Sequence, residues 1–246
     1  MKRPTALITG SSGGIGQALC KKFASSGFDV VATDQVECSS WDGIFIEADL
    51  LQVLNSTSYR SAFLDEVHKQ LGSNGLDVLI NNAALQCLGR IETLSLDDFQ
   101  RSFSVNLMVP FLLVKELLPQ LETAAGAVVN IGSIHECLTK AGFSAYASSK
   151  AGLGGLTRSL AVELGGRVRV NAINPAAIET EMLKAGFVGK DEAFEQLAKS
   201  HPAGVLGSPD DVADIAYFLA STRTRFFTGT TVDLNGGIGS RLYDPA

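Results

Sequence analysis

A basic face is the first thing this sequence lacks. It carries 20 Lys and Arg against 26 Asp and Glu, a net charge of −6. A nucleic-acid binder shows a basic excess or stripe, so no nucleic-acid partner is expected. Long apolar runs are also missing. A bilayer crossing needs ~18 such residues, and the stretch 109–114 falls far short, so no membrane partner is expected either. Met1-Lys2-Arg3-Pro4 leads into only Ala6-Leu7-Ile8 before Thr9-Gly10, which is no secretory leader. Cysteine is sparse. Cys20, Cys38, Cys87 and Cys137 match no zinc or CxxC spacing, and with three scattered histidines no metal site is expected. Free thiols suit a reducing, cytoplasmic setting. Disorder and fibrous structure are excluded by what remains: 46% hydrophobic residues, 19% charged and only 7 Pro among 246.

What is present is an alternation. Short apolar runs at 5–9, 29–33, 44–48, 78–81, 127–131, 168–173 and 231–234 read as strands. Several are continuous Val/Ile/Leu runs, as in strands buried on both faces. Helical patterns fall between them at 16–26, 58–71, 96–121, 146–164 and 209–220. Repeated βα units with right-handed crossovers build an α/β fold, a doubly wound, Rossmann-type parallel sheet with helices on both faces. No linker interrupts residues 1–246, so a single domain is expected. Two helix ends carry their own signals. Gly27 suits a left-handed stop for the first helix. Ser208-Pro209-Asp210-Asp211 reads as an N-cap, a first-position Pro and acids on the positive end of the dipole. Residues 179–207 fit the alternation poorly and read as a partly helical excursion over the sheet's carboxyl edge, a place for a substrate lid.

The strongest local signal is Thr9-Gly10-Ser11-Ser12-Gly13-Gly14-Ile15-Gly16, between the first strand and an amphipathic helix. A pyrophosphate needs close backbone approach and free N–H groups. Glycine removes the Cβ obstruction, and a helix N-terminus supplies donors and positive dipole. Asp34 ends the second strand, where a carboxylate can accept from both ribose hydroxyls of an adenosine and repel a 2′-phosphate. No Lys or Arg stands in 11–14 or at Gln35-Val36 to offset that repulsion. NAD is therefore the expected cofactor, preferred over NADP by about a hundredfold, a difference of ~2.7 kcal/mol.

Tyr146-Ala147-Ser148-Ser149-Lys150 puts a phenol and an ammonium one helical turn apart. A cation ~5 Å from the phenol at an effective dielectric of ~20 is worth about 3 kcal/mol, or roughly two pKa units. That would bring the phenol from near 10 towards an operating pH suited to general acid–base transfer. Ser133 ends the fifth strand, Asn81-Asn82-Ala83-Ala84 ends the fourth, Asn174-Pro175 ends the sixth, and Asn106 lies in the helix between strands four and five.

Together these motifs resemble the compact one-domain branch of the short-chain dehydrogenase/reductase family, over essentially the whole chain. The resemblance implies an enzyme that interconverts a secondary alcohol and its ketone by hydride transfer to or from a nicotinamide cofactor, with no metal. It implies Tyr146 as general acid or base and Ser133 as the group that holds the substrate oxygen. Lys150 would hold the nicotinamide ribose and depress the Tyr146 pKa, and Asn106 would keep a water that relays protons to Lys150. Gly10, Ser12, Gly14, Ile15, Gly16 and Asp34 would bind the cofactor. Asp49 and Leu50 would flank the adenine, Asn82 and Ala83 would support the cofactor edge, and Pro175, Ile178 and Thr180 would sit at its nicotinamide end.

Ala84 stands where Gly often ends the NNAG motif, and Ala176 where Gly often follows Asn-Pro. Both argue against positive φ at those places. His135 is a further substrate-binding candidate, since Ser133-Ile134-His135-Glu136 looks like the segment at that place in some glucose dehydrogenases of the family. A sugar or polyol dehydrogenase is accordingly favoured. A 3-oxoacyl-thioester reductase of the same family stays open, as does a non-catalytic NAD-sensing regulator. Asn81, Asn82 and Asn106 can also be read as buried amides that hold loops, and His201 as structural. The family's habit implies a homotetramer packed through the Asn106 and Tyr146 helices.

Overall fold

The computed structural model describes residues 3–37, 41, 43–222 and 224–242. Expectations for Met1, Lys2 and Cys38 lie outside these residues. The chain begins with β1 (Thr5–Thr9), α1 (Gly14–Ser25), β2 (Asp29–Asp34), β3 (Ile44–Glu47), α2 (Leu50–Asn55), α3 (Thr57–Leu71) and β4 (Val78–Asn81). It continues with α4 (Leu96–Phe103), a π-helical turn (Ser104–Met108), α5 (Val109–Glu116), α6 (Leu118–Ala124), β5 (Ala127–Ile131) and α7 (Ser144–Leu164). Last come β6 (Arg169–Pro175), α8 (Glu181–Ala185), α9 (Asp191–Ser200), α10 (Pro209–Ser221) and β7 (Thr231–Leu234). The seven strands form one sheet in the order β3-β2-β1-β4-β5-β6-β7. Every pairing is parallel. The chain runs outward from β1 to β3 and then restarts at β4 on the other side of β1, so the topological switch lies between β1 and β4. Open parallel sheets bind ligands at that crevice.

The strands are buried on both faces because each face carries its own core. Leu7, Val31, Leu79, Val128 and Val170 pack under α2, α3, α5 and α7. Ala6, Ile8, Val30, Ala32, Ile80 and Val129 pack under α1 and α10. Period-two alternation along β1 sends Leu7 one way and Ala6 and Ile8 the other. This explains the unbroken apolar runs in the sequence.

Three elements differ from expectation, each for a physical reason. The short α2 was not anticipated; Asp49 nucleates it by accepting the Leu51 N–H at 2.8 Å. The single helix expected at 96–121 is broken. Pro110 and Pro119 have no N–H to continue an α-helical ladder, a π-helical turn precedes the first, and a 62° bend separates Leu96–Glu116 from Leu118–Ala124. β6 starts one residue later than expected and runs on to Pro175, whose register partner is Leu234 of β7. The excursion at 179–207 is partly helical as expected: it holds α8 and α9, and its base is closed by a parallel bridge between Ile178 and Gly207. Other expectations fit. Gly27 has φ 89°, and Ser208 and Asp211 form a reciprocal capping box on α10. Among the described residues, only Ala125 has positive φ without being glycine, so Ala84 and Ala176 carry no such strain. No single described helix is long and apolar enough to cross a membrane.

Candidate active site

The glycine-rich loop is built by close approaches that only glycine permits. Gly10 has φ 66°, and a Cβ there would lie 2.7 Å from the Ala83 Cα. A Cβ on Gly16 would lie 2.0 Å from the Gly10 carbonyl oxygen. Thr9 and Asn82 lock the loop from the β4 side. The Thr9 hydroxyl accepts the N–H groups of Asn82 and Ala83, each at 3.1 Å. The Asn82 amide donates to the carbonyls of Thr9 and Gly10 at 3.0 and 2.9 Å. The two lips of the topological switch are therefore tied together. Helix α1 starts at Gly13 with no side-chain cap and no acid in its first turn. Its N–H groups and positive dipole are left for an external anion.

Asp34 ends β2 beside this loop. One carboxylate oxygen accepts the Ser12 N–H at 2.9 Å and the other accepts the Gln35 N–H at 2.8 Å. The Ser12 hydroxyl donates to the Val36 carbonyl. Thr180 approaches α1 from the far half of the sheet, so that a Cβ on Gly14 would lie 3.0 Å from its methyl. The Thr180 hydroxyl oxygen caps α8 by accepting the Leu183 N–H. Pro175 is the last residue of β6, and Ile178 is buried at the base of the excursion. An uncapped helix start, a glycine cradle and a strand-end carboxylate suit a dinucleotide in shape and charge. At the other edge, the Asp49 carboxylate is engaged in capping α2. Leu50, the first residue of α2, is buried in the core.

The reacting groups converge from β5 and α7. The Ser133 side chain lies near the Tyr146 phenol and acts to lower its pKa. The Ser133 oxygen accepts the His135 N–H at 3.2 Å. His135 stacks on Phe143, with centroids 4.4 Å apart and planes 3° apart, and meets the Tyr146 ring edge-on at 5.7 Å. Burial, and then the Lys140 charge, hold the His135 imidazole below its ordinary pKa. Lys150, one turn along α7, is buried. Its ammonium donates to the Ile131 carbonyl at 2.7 Å and lies 5.7 Å from the Tyr146 ring centroid.

Two expectations are corrected here. The Tyr146 phenol is not depressed: burial pushes its pKa above the ordinary value, and the nearby Ser133 side chain only partly offsets this. Burial instead lowers Lys150, to about 8. Desolvation is the largest cause of both shifts, and the ammonium is engaged by the Ile131 carbonyl. Asn106 also differs in detail. Its side-chain oxygen accepts the Leu85 N–H at 2.8 Å, and its amide donates to the Leu85 carbonyl and the Ser149 hydroxyl, each at 2.9 Å. That side chain is satisfied by protein. Pro110, four residues on, has no N–H to offer its main-chain carbonyl.

Some supporting residues escaped the sequence reading. Ser149 steadies Asn106. Asn81 donates to Asn130, which donates to Thr157, and this bridges β4, β5 and α7 at 2.8 and 2.9 Å. The available signal was Asn130 itself, a lone amide within an apolar buried strand. His201 is buried, and its Nδ1–H donates to the Leu197 carbonyl at 2.8 Å, a structural role.

Known proteins agree with this architecture. A family model described as enoyl-(acyl carrier protein) reductase matches residues 10–239. The chain belongs to the short-chain dehydrogenase/reductase family. It is 32% identical to 3beta-hydroxysteroid dehydrogenase 1 of Eggerthella lenta, covering 97% of this chain and 94% of that one. It is 33% identical to the 3-oxoacyl-(acyl-carrier-protein) reductase FabG of Aquifex aeolicus, covering 95% and 96%. The solved structure of aldohexose dehydrogenase from Thermoplasma acidophilum superposes with a TM-score of 0.91 at 29% identity, covering 100% of this chain and 98% of that one. As a member of this family the chain is an oxidoreductase of CH–OH and keto groups that uses a nicotinamide cofactor.

Proposed function

We propose that this short-chain dehydrogenase/reductase is NAD-dependent and oxidises a sugar or polyol at a secondary alcohol, or reduces the corresponding ketone. The observation that carries the reading is the convergence of Ser133, Tyr146 and Lys150 from the end of β5 and one face of α7. Hydride acceptance or return is the chemistry a bound nicotinamide supplies. Ser133 holds the substrate oxygen and steadies its developing charge. Tyr146 takes the hydroxyl proton in oxidation and returns it in reduction. Lys150 reaches a nicotinamide ribose on exchanging its hold on the Ile131 carbonyl, and Asn106 offers its main-chain carbonyl to the water that feeds it. Gly10, Ser12, Gly14, Ile15, Gly16, Asn82 and Ala83 cradle the dinucleotide, with Pro175, Ile178 and Thr180 at its nicotinamide end. Asp34 selects NAD by occupying the place a 2′-phosphate would need. Its two oxygens already accept backbone N–H groups, so it is held in that place.

His135 supports the sugar reading, since its ring borders Tyr146 on the substrate side. The likeness to aldohexose dehydrogenase points the same way. A 3-oxoacyl-thioester substrate is the second reading. It is favoured by the likeness to FabG and by Met182 and Val188, 72% and 80% exposed on the excursion, which offer apolar surface to an acyl chain. A non-catalytic sensor is disfavoured because Tyr146 and Lys150 are both in place. We further propose that the excursion at 179–207 closes over substrate, that the protein acts in the cytoplasm, and that it is a homotetramer. Phe111 and Val162, exposed on α5 and α7, supply apolar surface for assembly. Light scattering at micromolar concentration should give four chains; a monomer refutes the assembly.

The test of the main reading is a spectrophotometric panel of sugars, polyols, hydroxy acids and hydroxyacyl thioesters with NAD. Reduced cofactor should form with a sugar or polyol and fail to form with Tyr146→Phe. Turnover that survives in that variant overturns the reading.

A further inference from the structure

Glu136, in the same turn as His135, has partners of its own. Its side chain is only 9% exposed. Its Oε2 accepts the Asn174 amide at 2.8 Å, and its Oε1 accepts the Arg158 guanidinium at 3.1 Å. Asn174, buried at the end of β6, uses its other face: its Oδ1 accepts the Ser133 backbone N–H at 3.0 Å. Three elements thus meet on one carboxylate. Helix α7 supplies a stripe for it at spacings of four: Tyr146, Lys150, Gly154 and Arg158. Gly154 is the gap into which the carboxylate fits, since a Cβ there would lie 2.1 Å from Oε1. Gly132 is the matching gap for the amide, where a Cβ would lie 2.1 Å from the Asn174 Oδ1. Two glycines and a guanidinium therefore surround this pair of side chains.

We propose that Glu136 is a positioning residue: its carboxylate fixes the orientation of the Asn174 amide and, through it, the placement of Ser133 against Tyr146. A carboxylate only accepts, so the Asn174 amide must turn its NH2 towards Glu136. Its oxygen is then committed to the Ser133 N–H. Ser133 caps the turn that carries His135, whose ring meets the Tyr146 ring edge-on at 5.7 Å, and the Ser133 side chain lies near the Tyr146 phenol. An amide free to flip would set NH2 against N–H and push Ser133 out of line. Small displacements of a reacting group cost rate steeply. This inference rests on the reading of Ser133 as the holder of the substrate oxygen.

A swap of donor and acceptor tests it. Glu136→Gln keeps the shape but cannot accept from Arg158 and Asn174 at once. We expect kcat on the best panel alcohol to fall about tenfold, equivalent to ~1.4 kcal/mol, with the NADH Kd from fluorescence unchanged. Asn174→Asp alone sets two carboxylates face to face and should lose at least as much. The double variant Glu136→Gln, Asn174→Asp reverses one hydrogen bond and keeps the rest. The new side-chain amide then donates to the new carboxylate and accepts from Arg158. That carboxylate in turn accepts the Ser133 N–H, and the net charge is unchanged. The double variant should recover kcat to within about threefold, an interaction a double-mutant cycle isolates. Hydrogen exchange at the Ser133 amide should quicken in Glu136→Gln and slow again in the double variant. Wild-type kcat in Glu136→Gln, no recovery in the double variant, or NADH binding lost in step with kcat overturns the proposal. Persistent turnover in Tyr146→Phe would instead strike the reading of the site. The Ser133 exchange rates would still decide whether Glu136 holds that contact.

Discussion

The two regions that flank the cofactor cleft are built on opposite terms. The cradle, formed by residues 9–16 and 82–83, is fixed by glycines with no room for a Cβ and by side chains whose donors are spent on backbone. The excursion at 179–207 has no buried residue in either α8 or α9. It is pinned at its base by the Ile178–Gly207 bridge and by the Glu179 N–H donated to the Gly207 carbonyl at 2.8 Å. Within it, Phe187 meets Phe194 edge-on at 5.5 Å, so the segment leans on itself. Segments with few buried apolar contacts open at low free-energy cost. On the proposed reading, cofactor chemistry would sit on the part that is fixed, and substrate choice would fall to the part that yields.

The largest effect should come from the wall of the fixed region. Tyr146→Phe removes the phenol near the Ser133 side chain, and general acid–base transfer is worth ~10²–10⁴ in rate. We expect kcat to fall by about that much with NADH affinity kept, as read by stopped-flow turnover and fluorescence titration. A loss below tenfold would mean that another group carries the proton.

Lys150 tests what fixing a functional group costs. Its folded pKa is about 8, against about 10.4 for an unfolded lysine. The folded state disfavours the charged form, so below pH 8 the group destabilises by the full difference, about 3 kcal/mol. Between pH 8 and ~10.4 the unfolded chain holds more protons, and stability rises with pH through that window. Tyr146 acts higher up. Its folded pKa is raised, so its contribution is intact below pH ~10 and is lost as pH rises through the folded value. Lys150→Met should abolish turnover yet raise the unfolding midpoint at pH 7, and it should flatten the rise between pH 8 and 10. Denaturant titration across that range checks the sign. A lower midpoint at pH 7 would show that the ammonium contributes net stability through Ile131.

These pKa directions mark where the sequence stopped being legible. The strand set, the sheet class, the glycine cradle and the capping box at Ser208 were readable because apolar period, glycine spacing and cap chemistry are local. The Tyr146–Lys150 pair was readable as a contact on one helix face, but not as an energy. Its sign depends on burial and on the Ile131 carbonyl, which lies on another element. Glu136 shows the same limit. Its partners Arg158 and Asn174 come from 22 and 38 residues away, and nothing local in the chain signals them. Helix α2 was missed because six residues carry too little period to register, although its cap, Asp49, was noticed for another reason.

Asp34 sharpens the contrast at one residue of the fixed region. Asp34→Ala removes the charge that excludes a 2′-phosphate and also the acceptor of the Ser12 N–H. We expect a preference for NAD over NADP of about a hundredfold to shrink to less than tenfold, mostly through a raised KM for NAD. Steady-state kinetics with both cofactors reads it directly. Equal efficiency already in the wild type would remove Asp34 from the account of cofactor choice.

The smallest effect should appear on the yielding side, and it separates the two substrate readings. Met182→Ser and Val188→Ser change side chains 72% and 80% exposed, so unfolding free energy should shift by less than ~0.5 kcal/mol. If the substrate is a sugar or polyol, its KM should also move by less than about twofold, since hydroxyls gain little from an apolar lid. A hydroxyacyl thioester would lose apolar contact with the closing segment. At ~0.8 kcal/mol per buried methylene, even one or two lost contacts raise its KM by about four- to fifteenfold. A selective rise for the thioester, together with wild-type stability, would move the assignment to acyl substrates without disturbing the catalytic residues. A stability loss of several kcal/mol would mean that the excursion is part of the core, and the distinction between the two regions would fail.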